Sequence, residues 1–175
     1  MDHHDHVRLL RDGVRDGGAE WADLGSGEGA FTLALADLLG PAGSIRAVDR
    51  DRRALEVGLR ALRQRFPAVR VTPLVADFTV PLGLPPLDGI VMANSLHFVR
   101  DKLAALSLIG GYLRPGGRLV LVEYDSDRGN PWVPFPLSFG TWTGLASEAG
   151  FRDTRLLASV PSRFLGPIYS AIGIR

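Results

Sequence analysis

The chain has 175 residues, of which 46% are apolar and 22% charged, and its formal net charge is +1. This length and balance are typical of one globular domain, so we expect a single domain over 1–175. The near-neutral charge excludes the strongly basic surface of a nucleic-acid-binding protein, and the absence of cysteine excludes disulfides and thiolate catalysis. Without an apolar run long enough for a membrane span or a signal peptide, we expect a cytoplasmic protein.

The pattern along the chain alternates short strands with longer helices, which favours a mainly parallel sheet covered by helices on both faces. An N-terminal segment, 1–19, contains a short amphipathic helix over 3–13. The next predicted elements are a strand over 21–24, a helix over 30–39, a strand over 44–48, a helix over 52–66 and a strand over 69–75.

The second half of the chain continues the alternation. A loop over 79–86 precedes a strand over 89–93, a helix over 101–113, a turn at 115–117 and a strand over 118–123. A polar, proline-rich loop over 125–137 leads to a helix that Ser138 caps and that ends at Gly150. Two last strands are predicted over 154–160 and 168–174.

A glycine-rich turn, Gly25 to Gly29, separates the first strand from the helix that follows. Glycines let the backbone turn sharply and approach a ligand closely, and the helix behind them offers free N–H groups. Gly25, Gly27 and Ala30 fit the dinucleotide spacing G-x-G-x-x-G/A, and Asp49 follows where an acidic residue can hold ribose hydroxyls. This spacing alone does not decide between a dinucleotide such as NAD and another adenosine-containing cofactor.

Three further features distinguish the two types. Asp23 lies two positions before the first glycine, Gly29 lies two positions after the second, and Asp77 closes the third strand, where a carboxylate can accept a hydrogen bond from an adenine amino group. These features disfavour an NAD(P)-binding oxidoreductase. That alternative also needs a Tyr-x-x-x-Lys pair or similar, but no tyrosine lies four residues before Lys102, the only lysine.

The residues from Trp21 to Gly29 resemble the first motif of class I S-adenosylmethionine-dependent methyltransferases. Later motifs of the family are matched in order by Val48-Asp49, Ala76-Asp77-Phe78, 88–98, 113–123 and 148–151. Within the family, the chain is similar to the small-molecule type that includes ubiquinone and menaquinone C-methyltransferases. The resemblance implies an α/β, doubly wound, mostly parallel seven-stranded sheet whose last strand is antiparallel, the Rossmann-like methyltransferase fold.

The same resemblance implies S-adenosylmethionine as the cofactor and S-adenosylhomocysteine as the product. Gly25, Ser26 and Gly27 would lie against the methionine part, and Asn94 and Ser95 would line the methyl-transfer end. Asp49 would hold the ribose, Asp77 would meet the adenine amino group, and Arg50 and Phe78 would lie beside the ring. The complete predicted set is Asp23, Gly25, Ser26, Gly27, Asp49, Arg50, Asp77, Phe78, Asn94 and Ser95.

Several of these polar residues also have a purely structural interpretation. Asp49 and Asp77 could be helix caps, and Asn94-Ser95 could cap a helical turn. A non-catalytic cofactor-binding module therefore remains an alternative to an enzyme.

The candidates for a catalytic base are His97, Tyr124 and Glu123, in that order. Methyl transfer is an in-line displacement in which a base assists a weak nucleophile. Histidine is a common general base, but His97 could equally be a buried framework residue, which is the interpretation we favour. Asn94-Ser95-Leu96-His97 lacks the Asn/Asp-Pro-Pro-aromatic pattern of many amino-group methyltransferases. We therefore expect a small-molecule acceptor, no nucleic-acid or membrane partner, and a monomer or homodimer.

Two groups of residues remain open to both kinds of interpretation. His3, His4 and His6 do not have the spacing of a known zinc site, so we predict no metal and a frayed terminus, although a helix there often covers the site in small methyltransferases of this type. A set of aromatic residues could line a substrate pocket or pack over the sheet: Tyr124, Trp132, Phe135, Phe139 and Trp142.

Overall fold

The fold is given by a computed structural model, which describes residues 1–14 and 19–175. Its strands are β1 (Glu20–Leu24), β2 (Ser44–Asp49), β3 (Arg70–Val75), β4 (Leu87–Ala93), β5 (Leu113–Tyr124), β6 (Arg152–Val160) and β7 (Ile168–Ile174). Its helices are α1 (His3–Leu10), α2 (Ala30–Leu39), α3 (Arg52–Arg65), α4 (Lys102–Gly110) and α5 (Phe139–Glu148), with a 3₁₀ turn at Leu96–Phe98.

The strands form one sheet in the order β3-β2-β1-β4-β5-β7-β6. All neighbouring pairs are parallel except those of β7, which runs antiparallel to both β5 and β6. This confirms the predicted seven-stranded, mostly parallel sheet with an antiparallel last strand. The order reverses between β1 and β4, and ligands of open α/β sheets bind outside the carboxyl ends of the strands at such a point.

Each face of the sheet has its own apolar layer, because alternate residues of a strand point to opposite faces. In β5, Leu119 and Leu121 belong to a cluster that includes residues of α4 and α5. Val120 and Val122 belong to the opposite cluster, which includes residues of α1, α2 and α3. The two layers hold the strand ends in fixed positions at the edge where the predicted site lies.

The central part of the chain differs locally from the sequence prediction. The helix predicted over 101–113 ends at Gly110, because Leu113 already pairs with Leu87 in the sheet. The turn predicted at 115–117 lies within β5, where the register shifts between the pairs Leu87–Leu113 and Gly89–Arg118. The backbone N–H of Gly116 donates to the carbonyl of the C-terminal Arg175 at 2.8 Å. This hydrogen bond fixes the irregular segment of β5 at 115–117.

The N-terminal helix α1 is ordered at its start, so the prediction of a frayed terminus is wrong. Asp2 accepts the backbone N–H of Asp5 at 3.0 Å while Asp5 accepts that of Asp2, a reciprocal capping box. The predicted apolar side of this helix, Val7, Leu9 and Leu10, is buried. Of the predicted segment 1–19, residues 15–18 lie outside the described residues, and the single-domain organisation stays a prediction.

Candidate functional site

The glycine turn after β1 is anchored to the end of β2. The backbone N–H groups of Gly25 and Ser26 both donate to the carbonyl of Val48, at 2.8 and 3.0 Å. Gly25 and Gly27 have φ values of +80° and +53°, a region that side chains rarely adopt. The turn therefore needs glycine for its backbone as well as for access by a ligand.

Asp49, at the end of β2, connects this turn to the next helix. One carboxylate oxygen accepts the N–H of Gly27 at 2.8 Å, and the other accepts the N–H of Asp51 at 2.9 Å. The cap of α3 is Asp51, whose side chain accepts the N–H groups of Arg53 and Ala54. The alternative in which Asp49 is a helix cap is therefore wrong, and its half-buried carboxylate is fixed beside the glycine turn.

Asp77, after β3, is also fixed without being a helix cap. Its Oδ1 accepts both the backbone N–H and the hydroxyl of Thr79, at 2.8 and 2.7 Å. These hydrogen bonds, aided by the positive charge of Arg50, hold the pKa of Asp77 below its ordinary value. The carboxylate is thus kept ionised, and no hydrogen bond in the described part of the chain occupies its Oδ2.

These ends of β1, β2, β3 and β4 surround a cavity of about 680 Å³. Six of the ten predicted cofactor-binding residues line it: Gly25, Asp49, Arg50, Asp77, Phe78 and Ser95. Sequence reasoning missed nine other lining residues: Asp51, Ala76, Thr79, Phe98, Val99, Arg100, Asp101, Ala104 and Ala105. The spacing of Asp101, Ala104 and Ala105 is that of one helix face, which is the signal that points to the start of α4 as a wall.

Four predicted cofactor-binding residues do not line the cavity: Asp23, Ser26, Gly27 and Asn94. Three of them carry buried polar atoms without a hydrogen-bond partner among the described residues, namely Oδ1 of Asp23, Oγ of Ser26 and Oδ1 of Asn94. Buried polar groups normally have partners. The end of β1 and the turns after β1 and β4 thus contain polar atoms that no described residue satisfies.

Asp23 is the most strongly perturbed acid of this region. It is fully buried, and its Oδ2 accepts the hydroxyl of Thr32 at 2.6 Å. Burial raises the pKa of Asp23 to about 7, the bond from Thr32 opposes that shift, and the charge of Asp49 adds to it. The carboxyl group of Asp23 therefore gains a proton as the pH falls through about 7.

Ser95 joins the turn after β4 to the turn after β1. Its hydroxyl donates to the carbonyl of Leu24 at 2.7 Å. It precedes the 3₁₀ turn but its side chain makes no capping hydrogen bond, so the capping alternative for Asn94-Ser95 is wrong for this residue. Asn94 adopts φ +52°, one of two such non-glycine residues in the described ranges 1–14 and 19–175.

His97 and Glu123 form a buried pair behind this turn. The backbone N–H of His97 donates to Oε1 of Glu123 at 3.0 Å, and Nδ1 of the ring lies 2.8 Å from Oε2. Because a carboxylate can only accept, Nδ1 carries the proton. No hydrogen bond from any described residue reaches Nε2, which carries a lone pair whenever the ring is neutral.

Lys102 and Tyr124 are electrostatically linked to Glu123. Burial lowers the pKa of Lys102, which the charge of Glu123 opposes, and the ammonium group donates to the carbonyl of Val99 at 2.9 Å. Burial and the charge of Glu123 both raise the pKa of Tyr124. The phenol therefore stays protonated at neutral pH.

The predicted pocket aromatics separate into different environments. Trp142 is fully buried in the core and Phe139 packs edge-to-face on Tyr169. Phe135 is half-buried, with Arg100 and Lys102 about 5.5 and 5.6 Å from its ring centre. Trp132, in contrast, is 71% exposed. Composition alone did not separate these residues.

Two of the N-terminal histidines, His3 and His6, contact residues of α2. Nε2 of His3 lies 3.0 Å from the carboxylate of Asp37, near the end of α2. The ring of His6 lies 4.6 Å from that of Phe31. Within residues 1–14 and 19–175, no group of three or more potential ligands is placed to hold a metal ion.

None of the described helices is long and apolar enough to cross a bilayer.

Residues 22–119, more than half of the chain, match the family model described as a methyltransferase domain. The chain belongs to this methyltransferase family. The matched region runs from β1 to the middle of β5 and so includes every predicted cofactor-binding residue.

Curated relatives of this methyltransferase chain have different activities. It is 33% identical over 114 residues to the ubiquinone/menaquinone biosynthesis C-methyltransferase of Pasteurella multocida, covering 65% of this chain and 42% of that protein. It is 33% identical over 113 residues to the O-methyltransferase cnsE of Penicillium expansum, covering 64% and 40%. The chain thus spans less than half the length of these relatives.

Solved structures share the fold of this methyltransferase chain. A SAM-dependent methyltransferase from Aquifex aeolicus superposes with a TM-score of 0.74 at 20% identity, covering 97% of this chain and 89% of that one. An arsenic(III) S-adenosylmethionine methyltransferase from Chlamydomonas reinhardtii gives 0.72 at 22% identity, covering 91% and 63%. The likeness extends over β6 and β7, beyond the region that the family model matches.

Proposed function

We propose that this chain binds S-adenosylmethionine at the carboxyl ends of β1 to β4 and transfers its methyl group to a small-molecule acceptor. The observation that carries the proposal is the cavity of about 680 Å³ in a methyltransferase domain, lined by Gly25, Asp49, Asp77 and Ser95 from four different strand ends. The C- and O-methyltransferases among its relatives support the choice of a small acceptor.

The polar groups around the cavity suit the different parts of this cofactor. Asp49, fixed by two backbone N–H groups, is proposed to accept the ribose hydroxyls. Asp77, kept ionised with a free Oδ2, is proposed to accept the adenine amino group, with Phe78 and Arg50 beside the ring. The remaining groups are proposed to serve the charged methionine portion: Asp23, Gly25, Ser26, Gly27, Asn94 and Ser95.

The buried atoms without partners support this assignment. Oδ1 of Asp23, Oγ of Ser26 and Oδ1 of Asn94 are hydrogen-bonding atoms that the folded chain leaves unused. An amino-acid group offers donors and acceptors of both kinds, so it can satisfy them directly or through water.

Bound S-adenosylmethionine supplies an electrophilic methyl carbon on a positively charged sulfur, so the protein's contribution is alignment, exclusion of water and proton transfer. His97 is the proposed proton acceptor, because Glu123 holds its Nδ1–H and leaves Nε2 free. Glu123 is proposed to orient this ring, since His97 engages both of its oxygens. Tyr124, whose pKa is raised, is a hydroxyl donor toward the acceptor instead of a base.

The wider assignments remain predictions of the sequence. They are the cytoplasmic location, the monomeric or homodimeric state and the absence of a nucleic-acid or membrane partner.

Calorimetry on the purified chain tests the cofactor assignment. We expect S-adenosylmethionine and S-adenosylhomocysteine to bind with micromolar affinity, NADH not to bind, and Asp49→Ala to abolish binding. Glu56→Ala is the matched control, because Glu56 is an exposed acid on the adjacent helix α3. Absence of binding by both adenosyl ligands would refute the proposal, and binding of NADH in their place would support an oxidoreductase.

A further inference from the structure

Five aromatic rings follow one another along the carboxyl edge of the sheet, starting at the cofactor cavity. Ring centres are 4.3 Å apart for Phe98 and His97, 6.3 Å for His97 and Tyr124, 5.8 Å for Tyr124 and Phe164, and 6.4 Å for Phe164 and Trp132. Phe98 also lines the cavity. The series is therefore continuous with the proposed cofactor site.

Most of this series is open to solvent. We call its exposed part, Phe98, Tyr124, Phe164 and Trp132, the aromatic row. Trp132 is 71%, Phe98 58% and Phe164 52% exposed, and Tyr124 is half-buried. Tyr124, Phe164 and Trp132 adjoin one another, and the buried ring of His97 lies between Tyr124 and Phe98. Single exposed apolar residues are common, but several large rings grouped beside a cavity are typical of a ligand-binding surface.

The rings of the row come from separate connections, and local hydrogen bonds position them. Trp132 follows Asn130, whose side-chain oxygen accepts the N–H groups of Trp132 and Val133, both at 2.9 Å. The N–H of Phe164 donates to Oγ of Ser162 at 3.2 Å. Tyr124 ends β5 and pairs with Ile168 at the start of β7, which brings the connection between β6 and β7 to this edge.

We propose that the aromatic row binds the acceptor and that the acceptor is a planar aromatic compound. This inference rests on the proposed methyl transfer, since it assigns the second ligand of the same site. A planar ring can stack on Phe98, Phe164 or Trp132 and gain the additional stabilisation of aromatic pairs. The end of the row at Phe98 and His97 places such a ring beside both the cavity and the proposed proton acceptor.

Binding of 2-naphthol in the presence of saturating S-adenosylhomocysteine tests the inference. Decahydro-2-naphthol is the matched probe, because it has the same hydroxyl and carbon skeleton but no π system. We expect 2-naphthol to bind at least about tenfold more tightly than the saturated probe, and Phe164→Ala and Trp132→Ala each to weaken it by about tenfold. Leu156→Ala is the control, since Leu156 is 48% exposed on β6 and belongs to no ring contact of the row.

The location of the probe can be read independently from the tryptophan indole N–H signals in NMR spectra. Trp21 and Trp142 are buried and Trp132 is exposed, so only the signal lost in Trp132→Phe should shift when 2-naphthol is added. Because the substituted side chains are exposed, we expect unchanged thermal unfolding in these variants.

The outcomes separate this inference from the proposed function. Binding of S-adenosylhomocysteine without binding of 2-naphthol, or equal binding of the two naphthol probes, would overturn the aromatic acceptor and leave the cofactor assignment intact. Unchanged affinity in the Phe164→Ala/Trp132→Ala double variant would also overturn it. Binding of 2-naphthol through the row without any binding of S-adenosylhomocysteine would uphold the aromatic site and refute methyl transfer.

Discussion

Ser95 packs against Gly25 so closely that a Cβ on Gly25 would overlap the Cβ of Ser95. The same serine donates its hydroxyl to the carbonyl of Leu24, directly before that glycine. The turns after β1 and β4, which are 71 residues apart in the chain, are thus in contact at the reversal point of the sheet. Any side chain at Gly25 must displace one of them.

This contact predicts different results for alanine at the two glycines of the turn. Gly25→Ala should destabilise the fold and abolish S-adenosylhomocysteine binding, because it combines φ +80° with the overlap at Ser95. Gly27→Ala meets no atom within 4 Å and should cost about 1 kcal/mol of stability for its left-handed backbone. It should still weaken S-adenosylhomocysteine binding, since the proposed methionine portion would meet the new methyl group.

Urea unfolding and calorimetry on the two variants measure these effects. Equal destabilisation of both proteins would contradict the role of Ser95. Full affinity in a folded Gly27→Ala protein would contradict the position proposed for the methionine portion.

Because the pKa of Asp23 is raised in the folded chain, we expect an unusual dependence of stability on pH. Its pKa of about 7 in the folded chain lies above its ordinary value near 3.8, so between these values the folded protein holds a proton that the unfolded chain has released. Stability therefore falls as the pH rises through this interval, and the penalty is complete above about pH 7. Its size is on the order of 4 kcal/mol.

Asp23→Asn removes this proton and keeps an oxygen that can accept the hydroxyl of Thr32. Measured by urea unfolding, the free energy of unfolding of the variant relative to the natural protein should increase between pH 4.5 and pH 8. Asp12→Asn, at an exposed aspartate, is the control and should follow the natural protein at every pH. Parallel profiles for Asp23→Asn would show that Asp23 is ionised over the whole range.

The buried pair of His97 and Glu123 predicts separate effects on catalysis and cofactor binding. His97→Ala should leave S-adenosylhomocysteine affinity within about twofold, because the ring does not line the cavity. With an acceptor identified, the variant should lose about 100-fold or more in kcat, the usual contribution of a general base.

Added imidazole distinguishes a base from a framework residue in this position. It should restore part of the activity of His97→Ala, since it can occupy the space of the missing ring and accept a proton. A variant whose activity is lower but does not respond to imidazole would indicate that His97 acts only through packing and its hydrogen bonds to Glu123.

From the sequence, six of the ten proposed cofactor-binding residues could be brought to one cavity, because they follow strands whose carboxyl ends must share one edge. Asp49 and Asp77 could be placed in this way without knowledge of any side-chain contact. The atoms that hold each carboxylate could not be foreseen, since Asp49 is fixed by Gly27 across the sheet edge and Asp77 by Thr79 within its own loop.

The acceptor half was less predictable, because its residues come from distant parts of the chain. Trp132 lies in the polar loop before α5 and Trp142 lies in α5 itself, and the packing of α5 buries Trp142 while Trp132 stays exposed. Phe164 was missed altogether. It reaches Tyr124 only because β7 runs antiparallel to β5, and a local sequence pattern contains no information about that contact.

The antiparallel β7 also has a consequence for how such enzymes can diverge. The connection between β6 and β7, which carries Phe164, joins the two strands farthest from β1, β2 and β3. Its length and composition can therefore change by mutation without altering the turns that hold Asp49 and Asp77. New acceptor preferences can arise in this connection while cofactor affinity is inherited unchanged.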